Sequence, residues 1–302
     1  MKTAIITGAS TGLGLECARA LLRADASWHV VLAVRDPARG AAAVELLGEH
    51  ERCTVIEVDL ASLRSVHAFV GHVRGAELPP LHAIVCNAGV QVISGTQRTV
   101  DGFEMMFGVN HLGHFVLVQG LLDQLTPPGR IVVVSSGTHD PSKHTGMPGP
   151  RYTSAADLAY PPADGDGSSA EAGRRRYTTS KLCNVLFGYE LDRRLDHGAR
   201  GITVNVFDPG LMPGSGLARD YPPLQRLAWR YALPALRFLP QVRSARTSGA
   251  HLAALVAHPR FDGVTGQYFD GRKSIRSSAD SYDRDMALDL WRASEQLAVH
   301  AA

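Results

Sequence analysis

The chain has 302 residues, 45% of them hydrophobic, and a formal net charge of +2 at pH 7. A chain of this size can bury a substantial core, and a single large domain is expected. The near balance of charge excludes the basic surface that nucleic-acid binding requires, so no nucleic-acid partner is expected.

The cysteines and the hydropathy pattern narrow the class of protein further. The four cysteines lie far apart and form no Cys-x-x-Cys pair, which argues against a zinc site or a disulfide framework and predicts reduced, mostly buried thiols in a cytoplasmic protein. Polar residues and glycines soon interrupt the N-terminal apolar run, so no signal peptide is expected. No stretch of 18 uncharged apolar residues occurs, and no transmembrane segment is predicted.

The first predicted elements are a strand at residues 3–7, a glycine-rich turn and a helix. The turn carries Gly8, Gly12 and Gly14, and apolar residues recur at helical spacing after it. In such a unit the glycines let the backbone approach a pyrophosphate, and the helix N-terminus offers unpaired N–H groups to it. The pattern favours a dinucleotide site over the alternative, a plain tight turn.

A second buried strand is predicted at residues 29–34, and charged residues follow it. In a dinucleotide-binding sheet the end of this strand faces the adenosine ribose, where an arginine accommodates a 2′-phosphate and an acidic residue selects a free 2′-hydroxyl. Arg35, with Arg39 one helical turn beyond, therefore indicates NADP(H). Asp36 could instead bind the ribose, or these charges could be solvated, but Pro37 after Asp36 predicts the start of a helix with the carboxylate at its N-terminus.

A third strand is predicted at residues 54–58. Asp59 and Leu60 follow it, at the end of the strand where ligands bind in parallel sheets, and Ser62 is placed to cap the next helix.

A fourth strand at residues 83–87 is broken by Ala88 and Gly89. A long helix is then predicted from about residue 99 to residue 122, and it carries Asn110 among apolar side chains. From this local pattern alone, Asn110 is expected to be a hydrogen-bonded amide of the core.

A fifth strand at residues 130–134 ends in Ser135 and Ser136. The stretch at residues 137–173 is rich in Gly, Pro, Ser and Asp and shows poor periodicity. A connection of this length inside a compact domain is usually a binding loop or a flap. Its histidines lack a companion cluster of carboxylates or cysteines, so no metal site is predicted.

Tyr177 and Lys181 lie four residues apart on a helix predicted to reach about residue 195, so they project from the same face. A neighbouring ammonium favours the phenolate form of a tyrosine and so makes it a more useful proton carrier. The alternative is an aromatic ring stacked on a surface lysine.

The last third of the chain begins with a sixth strand at residues 202–207, which turns into a loop at Asp208, Pro209 and Gly210. At residues 224–239, large apolar residues are punctuated by arginines. Such a segment can close an apolar pocket, lie on a membrane surface, enter the core or form an oligomer contact. A helix, a short strand and a helical tail are predicted at residues 244–257, 266–269 and 288–299.

Strands that alternate with helices predict the α/β class, as a doubly wound parallel sheet or Rossmann fold. We expect one domain over residues 1–302, with an insertion at about 137–173 and a substrate lid at about 211–243. Several ordered motifs then resemble the short-chain dehydrogenases/reductases over nearly the whole chain. These motifs are Thr7-Gly-x-x-x-Gly12-x-Gly14, Asp59-Leu60, Asn87-Ala-Gly89, Asn110, Ser136, Tyr177-x-x-x-Lys181 and Pro209-Gly210.

The resemblance implies a catalytic role for four residues. Tyr177 would be the general acid/base, and Lys181 would hold the nicotinamide ribose and favour the phenolate. Ser136 would hydrogen-bond the substrate oxygen, and Asn110 would order a water that links Lys181 to solvent. The residues implied in cofactor binding are Gly8, Ser10, Thr11, Gly12, Leu13, Gly14, Arg35, Arg39, Asp59, Leu60, Asn87, Ala88, Gly89, Tyr177, Lys181, Pro209, Gly210, Leu211 and Ser215.

Within the family the sequence is more similar to retinol dehydrogenase-like and protochlorophyllide reductase-like members. Tyr177-Thr-Thr-Ser-Lys-Leu-Cys-Asn184 and Asn110-His-Leu-Gly-His-Phe115 look like theirs. Leu211, however, stands where the light-dependent reductases carry a cysteine after Pro-Gly. Gly214 stands where many members have a threonine that contacts the nicotinamide carboxamide, and Ser215 is the substitute expected for it.

The resemblance thus implies a cytoplasmic NADP(H)-dependent oxidoreductase that interconverts a carbonyl and an alcohol on a lipophilic small molecule. One alternative is reduction of a carbon–carbon double bond in a polycyclic or tetrapyrrole-like substrate. Another is a protein that senses NADP(H) without chemistry, although such a sensor does not need a proton-transfer set. The oligomeric state and any contact with a membrane surface are left open by the sequence.

Overall fold

The computed structural model describes residues 1–161, 169–212 and 242–300, and these build one sheet of eight strands in the order β3-β2-β1-β4-β5-β6-β7-β8. All neighbours are parallel except β7 and β8, which are antiparallel. The strands are β1 (Lys2–Thr7), β2 (Trp28–Val34), β3 (Cys53–Glu57), β4 (Leu81–Cys86), β5 (Leu125–Val134), β6 (Ile202–Asp208), β7 (Tyr268–Asp270) and β8 (Lys273–Ile275). The prediction of a doubly wound, mostly parallel sheet is confirmed.

Helices cover both faces of this sheet. They are α1 (Gly12–Ala24), α2 (Pro37–Leu47), α3 (Leu63–Gly75), α4 (Met105–Phe107), α5 (Gly113–Leu121), α6 (Ala155–Ala159), α7 (Ala170–Arg194), α8 (Ala245–Ala257) and α9 (Arg284–His300). One core packs α3, α5, α7 and α9 against the sheet, and the other packs α1, α2 and α8 against the opposite face. With both faces covered, β1 and β2 are buried almost throughout, which explains their continuous apolar sequences.

Two helix starts follow from short polar side chains. The Asp36 carboxylate accepts hydrogen bonds from the backbone N–H groups of Ala38 and Arg39, with Pro37 at the first position of α2. The Ser62 hydroxyl accepts from Ser65 N at the start of α3. Each side chain satisfies N–H groups that have no partner within the helix, as the sequence predicts.

The helix predicted from about residue 99 begins later, at Met105. Thr99 N donates to Phe103 O and its hydroxyl accepts from Phe103 N, so this stretch forms a tight turn before Glu104 caps α4. Between α4 and α5 the chain makes a π-helical turn at Gly108–Leu112, which the sequence pattern does not predict. Asn110 lies at the middle of that turn.

Part of the stretch predicted as an insertion is held against α9. Tyr152 donates its hydroxyl proton to the Asp289 carboxylate at 2.7 Å, and Ala155 N donates to the same oxygen at 3.0 Å. Residues 162–168 of this stretch lie outside the described residues. So do residues 213–241, which include Gly214, Ser215 and most of the predicted lid. At the two ends of the lid, Leu211 and Val242 pair as an isolated parallel bridge.

The helical stretch Met105–Gln124 is long and apolar enough to cross a membrane by length and composition, although no transmembrane segment was predicted. In the fold, 78% of its most apolar window is buried. Burial against the sheet and the neighbouring helices accounts for its composition, as expected for a core helix.

Candidate active site

A cavity of about 1360 Å³ opens at the edge of the sheet where the parallel strands end. Ligands bind at this edge in open α/β sheets because the chain reverses its direction of progression there, here between β1 and β4. The residues singled out by the sequence that line it are Gly8, Ser10, Thr11, Gly12, Leu13, Arg35, Arg39, Asp59, Leu60, Asn87, Ala88, Gly89, Ser136, Tyr177, Lys181, Pro209, Gly210 and Leu211.

The glycine turn between β1 and α1 presents its backbone to this cavity. Gly8 and Gly12 have φ angles of +66° and +58°, which favour glycine, and a Cβ on Gly12 would meet nothing within 4 Å. Gly14 differs, because a Cβ there would lie 2.6 Å from both Asn87 Nδ2 and Gly8 O. It lies behind the cavity wall, and its missing side chain lets α1 pack closely rather than contact a ligand.

A hydrogen-bonded hub behind the turn joins β1, β4 and α5. The Thr7 hydroxyl oxygen accepts from the backbone N–H groups of Asn87 and Ala88, each at 2.9 Å. It also lies 2.8 Å from His114 Nε2, while His114 Nδ1 lies 3.1 Å from Asn110 O. Since Nδ1 must donate to that carbonyl, Nε2 accepts from Thr7. Burial lowers the pKa of His114 to about 4, so the ring is neutral.

The end of β2 presents two cations to the cavity. Arg35 and Arg39 are exposed and line it, and neither forms a salt bridge within the part of the chain that the structure describes. Asp36 also lines the cavity, and its Oδ1 is used at the N-terminus of α2, where it accepts from Ala38 N at 3.0 Å and Arg39 N at 3.2 Å. The end of β2 thus presents two guanidinium groups and one carboxylate to the cavity, with one carboxylate oxygen bonded to the helix.

Asp59 and Leu60 line the cavity after β3. The Asp59 carboxylate accepts from Ala61 N at 3.0 Å, and Asp59 N donates to the Ser65 hydroxyl at 2.9 Å. These bonds fix the turn into α3, so the wall of the cavity at this end is built by backbone as well as side chains.

Asn110 does not line the cavity. It is completely buried, its Oδ1 accepts from Val90 N at 2.7 Å, and its Nδ2 donates to Val90 O at 3.0 Å and to the Ser180 hydroxyl at 2.9 Å. The amide thus ties the loop after β4 to α7 and satisfies both of its N–H donors. This placement matches the expectation drawn from the local sequence pattern, a hydrogen-bonded core amide.

Tyr177 and Lys181 come together on the cavity side of α7. The Lys181 Nζ lies 5.7 Å from the centre of the Tyr177 ring and donates to Val134 O at 3.4 Å. Ser136, at the end of β5, lines the same cavity. Its hydroxyl accepts from Thr138 N at 3.3 Å, and its carbonyl accepts from His139 Nδ1 at 2.7 Å.

The environment of these side chains is largely apolar. Tyr177 packs with Val92 and Met106, and the partly buried side chains beside this cluster include Val90 and Met147. Burial lowers the pKa of Lys181 to about 8, and the nearby Asp208 carboxylate acts in the opposite direction. An ammonium in such a place is poised to lose its proton close to neutral pH.

Sequence reasoning assigned no role in the site to four charged residues of the cavity, Arg98, Lys143, Asp208 and Asp270. Asp208 ends β6. The rule that ligands bind at the carboxyl ends of parallel strands, which predicted Asp59, also applies to Asp208. Lys143 lies in a stretch without periodicity, and the sequence contains no signal for its position.

The two histidines considered as metal ligands occupy different places. His139 is buried, and its Nε2 accepts from Ser278 N at 3.1 Å. His144 lines the cavity. Within residues 1–161, 169–212 and 242–300, no group of three or more His, Cys, Asp or Glu residues is arranged to hold a metal ion.

Comparison with known proteins places the chain among dehydrogenases. The family model described as short chain dehydrogenase matches residues 2–154. Protochlorophyllide reductase B from Oryza sativa subsp. japonica is 36% identical, over 98% of this chain and 77% of that protein. The WW domain-containing oxidoreductase of Danio rerio is also 36% identical, over 98% of this chain and 68% of that protein.

Solved structures share the fold. An uncharacterised protein from Mycobacterium paratuberculosis superposes with a TM-score of 0.72 at 31% identity, over 98% of this chain and 93% of that chain. A blue fluorescent protein from a metagenomic library, solved in complex with NADPH, gives a TM-score of 0.65 at 24% identity, over 89% of this chain and 96% of that chain. The second likeness shows the fold alone.

Proposed function

The chain belongs to the short-chain dehydrogenase family, and within it we propose that the protein is an NADP(H)-dependent oxidoreductase that interconverts a carbonyl and an alcohol on a lipophilic small molecule. The observation that carries this proposal is the single cavity that brings together the open glycine turn, two arginines and the Ser136, Tyr177 and Lys181 side chains.

The residues at one end of the cavity fit a dinucleotide. Gly12 has open space where a side chain would stand, and the start of α1 directs unpaired N–H groups there, which suits a pyrophosphate. At the end of β2, Arg35 and Arg39 suit a 2′-phosphate, while the Asp36 carboxylate is held at the start of α2 by the two backbone N–H groups that its Oδ1 accepts.

The other end of the cavity fits proton transfer. When bound, the reduced nicotinamide supplies a hydride. In carbonyl reduction, Tyr177 would donate its phenolic proton to the substrate oxygen, which Ser136 would hold by a second hydrogen bond. Lys181 would hold the ribose and, as an ammonium, stabilise the phenolate that remains. In alcohol oxidation the same groups would act in reverse.

Asn110 would act by holding other parts of the site in place. Its amide fastens Val90 to Ser180, so the loop after β4 and the helix that carries Tyr177 and Lys181 keep a fixed separation. The role implied by the resemblance, ordering a water towards Lys181, would fall to the second lone pair of its backbone carbonyl, since its side-chain N–H groups are already used and the carbonyl also accepts from His114 Nδ1.

The lipophilic substrate is proposed from the cavity wall beside Tyr177. Val92 and Met106 pack against the tyrosine, and Val90 and Met147 both line the cavity next to them. A substrate that covers these groups would exclude water from the site of proton transfer.

The test is an NADPH-oxidation screen over ketones, aldehydes and enones, followed by Tyr177→Phe on the best substrate. Because the phenol transfers a proton but adds little to cofactor binding, we expect turnover to fall about 100- to 10,000-fold while the dissociation constant for NADPH stays nearly unchanged. Tyr160→Phe is the matched control, since Tyr160 is exposed and does not line the cavity. An active Tyr177→Phe protein would contradict the assignment.

A second candidate is reduction of a carbon–carbon double bond in a polycyclic substrate. Relatives of this chain include proteins named protochlorophyllide reductases, at 36% identity over 98% of the chain. Turnover of enones but not of saturated ketones in the same screen, or a requirement for light, would favour this candidate.

A further inference from the structure

Asp208 is a buried acid to which the proposed reaction assigns no task. It is 4% exposed at the end of β6, its Oδ1 accepts from Gly210 N at 2.9 Å, and its Oδ2 lies 3.4 Å from Lys143 Nζ. A carboxylate in such a place is costly unless cations and hydrogen bonds compensate it. The cations and hydrogen-bond donors around the Asp208 carboxylate therefore indicate its role.

The carboxylate lies in the turn that follows Ser136. A Cβ built on Gly137 would be 2.8 Å from Asp208 Oδ2 and 3.4 Å from Lys143 Nζ. The φ angle of Gly137 is not positive, so it is the missing side chain that matters here, because it leaves room for the ion pair. The pair thus lies one residue from a proposed catalytic group.

Lys181 reaches the same place from α7. Its ammonium donates to Val134 O at 3.4 Å, and Val134 pairs with Phe207, the residue before Asp208, in the β5–β6 register. Besides this long hydrogen bond, Lys181 Nζ lies 5.7 Å from the centre of the Tyr177 ring. Because the Lys181 ammonium is buried, its protonation state therefore depends on the charged groups around it.

Other titratable groups face Lys181 and Asp208. His114 and Tyr177 face Lys181 from α5 and α7, and His114 is neutral because burial lowers its pKa to about 4. Around Asp208, burial lowers the pKa of His139, while burial and then the Asp208 carboxylate raise the pKa of Tyr268. The carboxylates of Asp140 and Asp270 also act on His139 and Tyr268, and Asp270 is paired with Arg243 at 2.6 Å. Among these groups, Asp208 is the carboxylate that raises the pKa of Lys181.

We propose that Asp208 is a positioning residue whose carboxylate keeps the Lys181 ammonium charged, and that Lys143, from the loop after β5, sets how much of that field reaches Lys181. The catalytic role of the charged Lys181 ammonium rests on the proposed function, whereas the effect of Asp208 on that ammonium does not. The electrostatic consequence is definite in sign. Burial lowers the pKa of Lys181 and Asp208 raises it, so without Asp208 the ammonium would lose its proton at a lower pH.

The composition of the chain permits a direct test. It contains four lysines, Lys2, Lys143, Lys181 and Lys273, so protein labelled with ¹³C-lysine gives four side-chain signals that can be titrated by NMR. The signals of Lys143 and Lys181 are assigned from the Lys143→Gln and Lys181→Arg proteins. Lys2 and Lys273 lie outside the cavity and serve as internal controls.

We expect Asp208→Asn to lower the pKa of Lys181 by about one unit or more, because an opposite charge at close range typically shifts a pKa by about 1–3 units. Asp208→Glu should return the value towards that of the native protein, since it restores the charge. Lys143→Gln should raise the pKa of Lys181, since it removes a competing cation. The two charge deletions thus have opposite signs, which a general loosening of the structure would not produce.

The same pKa for Lys181 in the native and Asp208→Asn proteins would overturn the proposal. If Asp208→Asn does not fold, Lys143→Gln decides alone, because Lys143 is a loop residue, and an unchanged or lowered pKa of Lys181 would then overturn it. Neither measurement needs turnover. Failure of the proposed function would instead appear as an active Tyr177→Phe enzyme, so the two failures are distinguishable.

Discussion

At the end of β2, three charged side chains within one helical turn have separate tasks. All three line the cavity, and Asp36 Oδ1 in addition accepts from two backbone N–H groups of α2. The sequence alone allows Asp36 to compete for the ribose, and the hydrogen bonds at the helix start favour the arginines. The helix cap therefore bears on the cofactor choice that we propose.

Arg35→Ala should reduce the preference for NADPH over NADH. A hydrogen bond to a charged group contributes about 1.5–3 kcal/mol, so we expect a preference of roughly 10- to 100-fold that depends on this side chain and weakens as salt is added. The measurement is kcat/KM for both cofactors over a range of ionic strength.

Arg23→Ala is the control for net charge, because Arg23 is an exposed arginine of α1 outside the cavity. A native enzyme that uses NADH equally well would show that the arginines do not select a phosphate. So would a preference that survives Arg35→Ala undiminished.

At the scale of elements, the strands and their polar ends could be predicted because buried parallel strands have continuous apolar sequences and ligands bind where they end. That rule located Asp59 and Ser136, both of which line the cavity. It could not locate Lys143, whose position depends on how an aperiodic loop folds over Gly137. Nor could it reveal the π-helical turn around Asn110, since α and π turns share nearly the same apolar spacing.

The short hairpin of β7 and β8 was only half predicted. The three residues Lys273–Ile275 are exposed or partly exposed, so they carry no apolar alternation by which a strand is recognised. Their pairing depends on the turn at Gly271, whose φ angle of +61° allows the chain to reverse.

Two glycine-to-alanine changes in helices should have opposite effects on stability. A Cβ on Gly249 of α8 would lie 2.5 Å from Glu16 Cβ and 2.7 Å from Glu16 C, because α8 and α1 touch there almost backbone to backbone. We expect Gly249→Ala to lower the free energy of unfolding by about 1–3 kcal/mol through overpacking.

Gly71→Ala is the matched control. Gly71 is exposed in α3 and a Cβ there would meet nothing within 4 Å, so alanine should raise the free energy of unfolding by about 0.4–1 kcal/mol. Urea unfolding of both variants gives the comparison. Equal changes of the same sign would show that contact between α1 and α8 is not tight.

On the scale of the whole molecule, α9 completes the core on one face of the sheet. Trp291 packs edge-on against Phe115 and stacks on Phe187, and the His111 ring bonds to the Ser294 hydroxyl at 2.9 Å. Residues from three helices are thereby joined beneath the catalytic face. His111 is enclosed by this packing, whereas His114 is buried beside Thr7 of β1.

Enclosed histidines make the protein sensitive to acid. Burial lowers the pKa of His111 to about 3 and that of His114 to about 4, whereas in the unfolded chain both titrate near the ordinary value of about 6.5. Below that value the unfolded chain binds protons that the folded chain does not, so stability is full above pH 6.5 and falls as the pH drops. From pH 6 to pH 5 these two groups should lower the free energy of unfolding by about 2 kcal/mol.

Urea unfolding between pH 7.5 and pH 5 measures this loss. Burial also lowers the pKa values of His29, His82, His139 and His251, so the total loss includes their contributions. His111→Gln should remove roughly half of the loss assigned to His111 and His114, whereas His67→Gln should leave the pH dependence unchanged, because His67 is exposed on α3. A pH dependence that is the same in all three proteins would contradict the assignment to buried histidines.

The packing of α1 on α8 also constrains how the chain can acquire its structure. The helix that follows the glycine turn rests on residues more than two hundred positions later, so this contact can form only after α8 has left the ribosome. Until then the part of α1 that faces α8 has no native partner, and closing so long a loop costs conformational entropy before the contact stabilises it. Nascent protein therefore lacks the support that α8 gives to the helix after the glycine turn until α8 has been made, and a ligand that needs the finished turn would bind only after that.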